Sequence, residues 1–317
     1  MVGAIVLNIL TIDVEDYFTV EAFRRVIRYD EWDKYEIRVE IGLRKILDLL
    51  ERHDVPATFF VLGWIAERRP QLVSEIHQRG HEIASHGYRH QVIHEQSPDE
   101  FREDVRRAKA VLEDLVSEPV VGYRAPTFSV TRSTLWALDI LAEEGYEYDS
   151  SIYPIVHDRY GIPSHKRTFH WIDLPNRRRI LELPLPTCMV GRKNVPFGGG
   201  GYLRIYPLWL TKRLVRRLNT HEGEPAVVYL HPWELDPEQP RQPVGAIQRL
   251  RHYYNLNGTH DKLDVLLREF RFVSVREMMR KKTISERISL CDSVSSGFRI
   301  TNGARSTGSS IASPPAR

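Results

Sequence analysis

Short apolar segments alternate with amphipathic helical patterns along most of the chain, and this alternation constrains the fold more than any other sequence feature. Apolar runs of strand length occupy residues 4–12, 57–62, 120–123, 180–185 and 226–230. Between them, apolar residues at helical spacing mark residues 39–52, 101–116 and 135–144. Strands that alternate with helices predict βαβ units, so we expect an α/β fold built around a parallel sheet or barrel.

The composition excludes several classes of protein. Hydrophobic residues make up 42% of the 317 residues, and 45 Lys and Arg stand against 42 Asp and Glu. This balance is typical of a globular protein and gives no electrostatic reason to expect a nucleic-acid partner. Two cysteines, Cys188 and Cys291, are too few for a disulfide framework or a cysteine-rich metal site. A bound metal would therefore be held by histidines and carboxylates.

Domain organisation and location follow from local composition. No apolar stretch is long enough for a transmembrane segment, and the apolar start of the chain lacks the basic region and cleavage site of a signal peptide, so we expect a cytoplasmic protein. Residues 1–282 are predicted to form a single barrel domain, with 235–282 as a C-terminal extension. The Ser-rich residues 283–317 are predicted to be a disordered tail. The glycine run 198–201 predicts a loop with no helix directly after it, which argues against a phosphate-binding loop.

Three carboxylates within four residues follow the first predicted strand: Asp13, Glu15 and Asp16. At the carboxyl end of a barrel strand, such crowding costs like-charge repulsion unless a cation or a proton offsets it. A metal site or a base of raised pKa would account for the arrangement. The alternative is a solvated turn that caps a helix.

Histidines follow a short strand predicted at residues 82–85. His86 and His90 are four residues apart, a spacing that on a helix would direct both imidazoles to one divalent ion. His90 and His94 have the same spacing, so spacing alone does not choose between the pairs. We favour His86 and His90, because the strand would deliver His86 to the mouth of the barrel. The alternative is a solvated helix that carries polar histidines.

Three further polar groups also follow predicted strands. Arg124 precedes a turn containing Pro126 and Thr127; a guanidinium can grip a carboxylate through two hydrogen bonds, and proline fixes the turn so that the next N–H can face a developing oxyanion. Asp149 follows another strand. His231 ends a buried strand, where it could act as a general acid near neutral pH or be a core histidine bonded to backbone. Five polar clusters at five strand ends favour an active site.

In this order, the motifs resemble those of the NodB-type polysaccharide deacetylases, carbohydrate esterase family 4. The motifs are Thr-Ile-Asp13-Val-Glu-Asp16, Ser85-His86-x-x-x-His90, Arg124-x-Pro126, Asp149-x-Ser151 and Leu230-His231. The resemblance covers roughly residues 4–235. The stretch from Leu230 to Pro240, together with residues 270–275, also resembles the subgroup found with exosortase and exopolysaccharide gene clusters.

The resemblance implies a distorted (β/α)₇ TIM-like barrel and a divalent metal held by one carboxylate and two histidines. The metal is usually Zn²⁺, with Co²⁺ or another divalent ion as the alternative, and its histidine ligands would be His86 and His90. The family's first motif has two adjacent Asp residues, base then ligand, whereas a valine follows Asp13 here. The carboxylate ligand is therefore either Glu15 or Asp16. We favour Asp16, because a turn after the valine would bring it to the site.

The same resemblance implies the catalytic roles. Asp13 would be the general base that deprotonates water, and Arg124 would orient it. His231 would protonate the leaving amine and would be tuned by Asp149. The backbone N–H of Thr127 would help to bind the oxyanion.

Substrate contacts are predicted at Thr127, Pro126 and the loop aromatics Tyr202 and Trp233, which could stack on sugar rings or pack in the core. The expected reaction is hydrolysis of the N-acetyl group of an N-acetylhexosamine unit in a polysaccharide or exopolysaccharide precursor, giving acetate and a free amine. The subgroup implies the exopolysaccharide biosynthesis machinery as a partner. Association with that machinery at the membrane is the alternative to a free cytoplasmic protein.

Other functions remain open from the sequence. The same fold could open cyclic amides such as ureides, or the chain could be a non-catalytic glycan-binding module that releases no acetate and binds metal weakly or not at all. A glycosidase would need only two carboxylates, which Asp13 and Asp149 could supply. That reading leaves the histidines unexplained.

Overall fold

A curled sheet of nine strands forms the centre of the fold in the computed structural model, which describes residues 6–157 and 159–281. The strands of the described residues are β1 (Asn8–Val14), β2 (Thr58–Val61), β3 (Glu82–Ser85), β4 (Gly122–Tyr123), β5 (Tyr148–Asp149), β6 (His170–Asp173), β7 (Arg179–Glu182), β8 (Thr187–Val190), β9 (Lys193–Pro196), β10 (Val227–Leu230) and β11 (Phe272–Val273). Strands β8 and β9 form a separate hairpin.

Seven neighbouring strands of the sheet are parallel, in the order β10, β1, β2, β3, β4, β5 and β7. Strand β6 is antiparallel to β7 at one edge, and β11 pairs with the first residues of β1. Both faces of β1, β2 and β10 are buried, as expected for parallel strands covered by helices on one side and facing a packed interior on the other. This is the distorted (β/α)₇ barrel that the motifs predict.

Helices connect the strands and cover the outside of the sheet. They are α1 (Val39–His53), α2 (Gly63–Arg68), α3 (Pro70–Gln78), α4 (Pro98–Val116), α5 (Trp136–Glu143), α6 (Gly200–Ile205), α7 (Leu208–Arg217), α8 (Ala246–Tyr253) and α9 (Thr259–Glu269). Helix α4 begins with a capping box: the Ser97 hydroxyl accepts from the amide of Glu100, and the Glu100 carboxylate accepts from the amide of Ser97. None of the helices in the described part of the chain is long and apolar enough to cross a membrane.

Helix α1 packs against the turn that follows β10, and this contact requires glycine. A Cβ added at Gly42 would lie 1.7 Å from the carbonyl oxygen of Pro232. The neighbouring residue His231 directly follows β10, so the close approach of α1 fixes the backbone beside a candidate catalytic histidine. A second close approach occurs where Gly199 pairs with Tyr229 of β10, since a Cβ there would lie 2.0 Å from the Tyr229 ring.

The strand and helix predictions agree closely with the observed elements. The short strand expected at 82–85 is β3, and the helices expected at 39–52, 101–116 and 135–144 are α1, α4 and α5. The prediction for the glycine run is wrong in one respect, because α6 begins at Gly200, inside the run. Residues 6–278 lie within one compact unit, and the predicted tail at 283–317 lies outside the described residues.

Gly42→Ala is expected to lower the free energy of unfolding by about 1–3 kcal/mol or more, because the added methyl group overlaps the Pro232 carbonyl and backbone must move. Urea denaturation followed by circular dichroism would measure the change. The control is Gly201→Ala in α6, where the new Cβ would meet only the end of the Arg204 side chain at 4.0 Å. An equal loss in both variants would show that the close contact is not responsible.

Candidate active site

The carboxyl ends of the parallel strands surround a cavity of about 200 Å³ that contains most of the predicted catalytic groups. Strand β1 contributes Asp13 and leads directly to Glu15, β3 leads to His86, and β10 leads to His231. The loop after β3 adds His90. Because the strands are parallel and in register, residues far apart in the chain meet at this one edge.

Three side chains in this cavity could hold a metal ion: Glu15, His86 and His90. Their potential ligand atoms lie within 4.8 Å of one another, and all three residues are buried. His86 directs Nδ1 at the carbonyl oxygen of Arg124, 2.8 Å away, which leaves its Nε2 for another partner. The Nδ1 atom of His90 is buried and has no hydrogen-bond partner in the described part of the chain. One carboxylate and two imidazoles are a donor set that suits Zn²⁺, so these residues fit the predicted metal.

The charge states of two of these groups, His86 and Glu15, suit metal binding, whereas the contact with Glu15 raises the pKa of His90 against the effect of burial, so that a metal would displace its proton. Burial lowers the pKa of His86 to about 4, so its imidazole is neutral at physiological pH. Burial acts to raise the pKa of Glu15, but His90 outweighs this effect through its charge and a 2.9 Å contact, and the pKa is lowered. A neutral imidazole and an ionised carboxylate are the forms that coordinate metals.

The histidine pair lies in a loop, so the expectation that His86 and His90 share a helix face is wrong. Gly87 and His90 both have positive φ, +72° and +52°, which turns the chain back on itself. The Asp104 carboxylate of α4 accepts hydrogen bonds from the amides of Tyr88 and Arg89, at 2.7 and 3.1 Å, and fixes the loop between the histidines. The choice of pair is unaffected, because His94 is exposed and lies outside the group of donors.

The preference for Asp16 as the carboxylate ligand is corrected by its contacts. Its oxygens accept hydrogen bonds from three backbone amides: Tyr17 at 2.8 Å, Arg38 at 2.6 Å and Val39 at 2.8 Å. Val39 is the first residue of α1, so Asp16 satisfies the amides at the start of that helix. Glu15, one residue earlier, is the carboxylate that the structure places beside the histidines.

Arg124 lies where the sequence predicts it, against Asp13. Its Nη1 donates to Asp13 Oδ1 at 2.6 Å and to Thr11 Oγ1 at 2.7 Å, and its Nε and Nη2 donate to the carbonyl and hydroxyl oxygens of Ser150. Arg124 is completely buried and Asp13 is 1% exposed. The guanidinium therefore holds one oxygen of Asp13 and leaves the other, Oδ2, at 3.8 Å from His231 Nε2.

Glu234, and not Asp149, is the carboxylate that contacts His231, which corrects the predicted tuning of this histidine. His231 Nδ1 lies 2.6 Å from Glu234 Oε1, and its Nε2 lies 3.2 Å from Glu15 Oε1. Burial acts to lower the pKa of His231, but the hydrogen bond to Glu234 and the charge of Glu15 raise it to about 9. Glu234 is itself held by Arg204, whose Nε donates to it at 2.6 Å.

Asp149 instead pairs with Glu182, its neighbour across β5 and β7. Both carboxyls are fully buried; Asp149 Oδ1 accepts from Ser151, while Asp149 Oδ2 and Glu182 Oε2 have no hydrogen-bond partner in the described residues other than each other's carboxyl. Burial raises the pKa of Asp149 to about 6 and, together with the charge of Asp149, raises that of Glu182 well above its usual value. One shared proton relieves the repulsion between two such groups.

The four predicted substrate contacts have different surroundings. Thr127 lines the cavity and has a φ of +55°, a strained conformation for a β-branched residue that is typical of functional turns. Trp233 also lines the cavity, stacked between the rings of His231 and His252. Pro126 and Tyr202 do not line it: Pro126 is buried in the turn before Thr127, and Tyr202 packs beside an aromatic cluster, which corrects both assignments.

Sequence analysis missed Glu234, Arg204, Arg251 and His252. Glu234 has a sequence signal, because it follows His231 by three residues across a proline, the spacing of a capping box. Arg204 lies in α6, the short helix that the glycine run did not predict, and its partner Glu234 is 30 residues away in the sequence. Arg251 and His252 of α8 line the cavity from a part of the chain without any strand pattern.

Two sequence families match the chain, one after the other. The family described as "Polysaccharide deacetylase" matches residues 33–148, and the "Domain of unknown function (DUF3473)" matches residues 150–280. Residues 33–148 are thus similar to the polysaccharide deacetylase family over 116 of the 317 residues. The two matches divide a single sheet: β2 to β5 lie in the first, β6, β7, β10 and β11 lie in the second, and β1 precedes both.

Individual relatives agree with the family assignment. The chain is 35% identical over 96 residues to a peptidoglycan-N-acetylglucosamine deacetylase of Bacillus cereus, covering 30% of this chain and 35% of the relative. It is 29% identical over 97 residues to a chitooligosaccharide deacetylase of Bradyrhizobium, covering 31% and 42%. The matched segments thus span less than half of these relatives. A solved structure of a "putative polysaccharide deacetylase" from Mycobacterium smegmatis has the same fold, with a TM-score of 0.58, 21% identity and coverage of 89% and 92%.

Glu15→Gln is expected to weaken Zn²⁺ binding by at least about tenfold, because it removes the anionic donor between the two histidines. Competition with a chromogenic chelator would measure the affinity. Asp16→Asn is the matched control; it should retain the affinity and lose about 1 kcal/mol of stability through the weakened helix cap. The reverse pattern would return the ligand role to Asp16.

Glu182→Gln is expected to flatten the dependence of unfolding free energy on pH. The folded pair retains a proton that free carboxyls, with pKa values of 3.8 and 4.5, release on unfolding. The stability that the pair contributes is therefore complete below these values, falls as pH rises above them through the folded pKa of Asp149, about 6, and continues to fall towards the higher folded pKa of Glu182. Urea titrations across this range would compare the variant with wild type. Glu147→Gln, an exposed site next to β5, is the control, and identical profiles for wild type and Glu182→Gln would exclude a shared proton.

Proposed function

We propose that this protein is a metal-dependent hydrolase that removes N-acetyl groups from N-acetylhexosamine units of a polysaccharide or exopolysaccharide precursor. The observation that carries the proposal is the convergence, in one cavity, of the Glu15, His86 and His90 donors with the Asp13 carboxylate and the His231 imidazole. The names of the relatives support the same chemistry on N-acetylated glycans. A glycan-binding module would need no such set of buried donors and acids.

Glu15, His86 and His90 are the residues that would hold the metal, and their spacing matches a single divalent ion. When bound, a metal such as Zn²⁺ supplies a water of lowered pKa and polarises the acetamide carbonyl. The protein's part is to keep the donors in the binding form. The His86 contact with the Arg124 carbonyl does so by placing the proton on Nδ1, which frees Nε2 for the ion.

Asp13 would act as the general base for the attacking water. Arg124 Nη1 donates one hydrogen bond to Asp13 Oδ1, which fixes the carboxylate, and a second to Thr11, which holds the guanidinium in place. The other carboxylate oxygen, Oδ2, is on the side of His231. A base held in this way does not need to reorient before it accepts a proton. Arg124 thus orients the base without contacting the substrate.

His231 would protonate the amine that leaves as the amide bond breaks. Glu234 holds its Nδ1, so the proton on Nε2 faces the carboxylates of the cavity. With its pKa raised to about 9, the imidazole carries that proton near neutral pH. His231 Nε2 lies 3.8 Å from Asp13 Oδ2, so an acid and a base are within reach of one amide, one to take a proton from water and the other to deliver a proton to the nitrogen.

The remaining wall of the cavity would bind the acetamide and its sugar. Thr127 lines the cavity with a φ of +55°, and its backbone amide would bind the developing oxyanion. Trp233 lines the cavity with its two ring faces stacked on His231 and His252, and its buried Nε1 has no hydrogen-bond partner among the described residues. The identity of the glycan and a role in exopolysaccharide synthesis are parts of the proposal that rest on sequence resemblance.

Metal-stripped protein reconstituted with Zn²⁺ is expected to release acetate from N-acetylglucosamine oligomers, and the stripped protein is not. Asp13→Asn should lower the rate by at least about 100-fold while Zn²⁺ content is retained, because it removes the base and leaves the donors. Asp48→Asn, at an exposed site on α1, is the control. Acetate release that persists in Asp13→Asn would overturn the assignment of Asp13 as the general base. No release by wild type with bound metal would overturn the assignment of N-acetylglucosamine units as the substrate.

A further inference from the structure

One face of the molecule, away from the donor cluster, combines exposed apolar side chains with cations. We define this basic face by residues on the tip of the β8–β9 hairpin and on α7: Met189, Val190, Arg192, Trp209, Arg213 and Arg217. The apolar members are well exposed, with 43% of Met189, 54% of Val190 and 65% of Trp209 accessible to solvent. Large apolar side chains at these fractions usually mark an interaction surface when they cluster.

Contacts join the two elements into one surface. Trp209, Arg213 and Arg217 line a single shallow cavity of about 460 Å³ on α7. Arg217 also donates from Nη2 to the carbonyl oxygen of Met189, at 3.3 Å, which holds the hairpin tip beside the end of the helix. Trp209 and Arg213 are four residues apart and therefore lie on the same side of α7.

The charge of this surface is not neutralised by carboxylates of the residues that the structure describes. Between Glu182 and Glu222 the chain has seven Lys and Arg residues and no Asp or Glu. Glu269 pairs with Lys212 and Arg216 on one side of α7. No carboxylate of the described residues lies within ion-pair distance of the other exposed cations of this region, which are Arg192, Lys193, Arg213 and Arg217.

We propose that the basic face docks on an anionic lipid surface. The three cations of the basic face, which have no ion-pair partner among the described residues, complement a negatively charged leaflet, and Trp209 with the hairpin tip supplies the apolar groups that insert at the level of the headgroups. Tryptophan is the side chain best suited to that level, because its ring is apolar and its N–H is polar. A soluble polyanion would use the arginines but would gain nothing from exposed Met189 and Val190.

Docking on lipid does not depend on the proposed deacetylase activity. The two can therefore fail separately: vesicle binding is measured without substrate, and acetate release from soluble oligomers is measured without vesicles.

The test is co-sedimentation of the full chain with vesicles of phosphatidylcholine, alone or with about 30 mol% phosphatidylglycerol. Wild type should bind the anionic vesicles at least about tenfold more tightly, and about 0.5 M salt should remove most of the difference. Arg213→Glu/Arg217→Glu should abolish the preference. Trp209→Ser should weaken binding several-fold with the charge unchanged, and Trp209→Phe should retain most of it.

The matched control is Arg44→Glu/Arg106→Glu, which makes the same change in net charge at side chains that are 58% and 57% exposed on α1 and α4. It should bind anionic vesicles nearly as well as wild type. If both double variants weaken vesicle binding equally, the effect is one of net charge alone, and the basic face is not the docking site. The proposal also fails if anionic vesicles are not bound, or if Trp209→Ser has no effect while heparin displaces the protein, since that result identifies a soluble polyanion as the ligand.

Discussion

The buried guanidinium of Arg124 is the interaction on which the working edge of the barrel depends. It joins three parallel strands, because it extends from the end of β4, bonds Asp13 and Thr11 of β1, and bonds Ser150 just after β5. A fully buried charge is tolerated only when its hydrogen bonds are satisfied, and here three nitrogens have oxygen partners. The backbone carbonyl of Arg124 forms a hydrogen bond with Nδ1 of His86. The same residue therefore positions both the candidate base and a candidate metal ligand.

Much of the fold, and the position of the polar residues at the strand ends, can be predicted from local sequence patterns. Buried parallel strands are apolar on both faces, so the runs that become β1, β2 and β10 are visible without any knowledge of neighbours. Polar residues directly after such runs must lie at the carboxyl edge of the sheet, which is why the sequence alone groups Asp13, His86 and His231. The end of a strand determines where the polar residue after it lies in the fold, and the structure places these three residues together as the sequence predicts.

The partner of each polar group was harder to predict, because it depends on contacts between distant segments. The loop from His86 to His90 is shaped by Asp104, a helical residue with no motif around it. A turn after the valine predicts Asp16 as the metal ligand. In the structure its carboxylate instead accepts hydrogen bonds from the amides of Arg38 and Val39 at the start of α1. At both Asp104 and Asp16, the carboxylate accepts hydrogen bonds from backbone amides that would otherwise be unsatisfied, and this role replaces the one that the type of side chain suggests.

A second buried arginine makes residues 150–280 an integral part of the site. Arg204 donates to Glu234 and to the carbonyls of Arg251, His252 and Tyr254 at the end of α8, so one side chain links the partner of His231 to the helix that lines the cavity. Removing either charge of the Arg204 and Glu234 pair would leave the other buried without compensation. The orientation of the candidate acid is therefore set by the segment that matches a domain of unknown function, whereas the candidate base is held by the deacetylase match through Arg124. Neither segment could build the cavity alone, because the acid, the base and the metal donors come from different parts of the chain and meet only when one sheet contains them all.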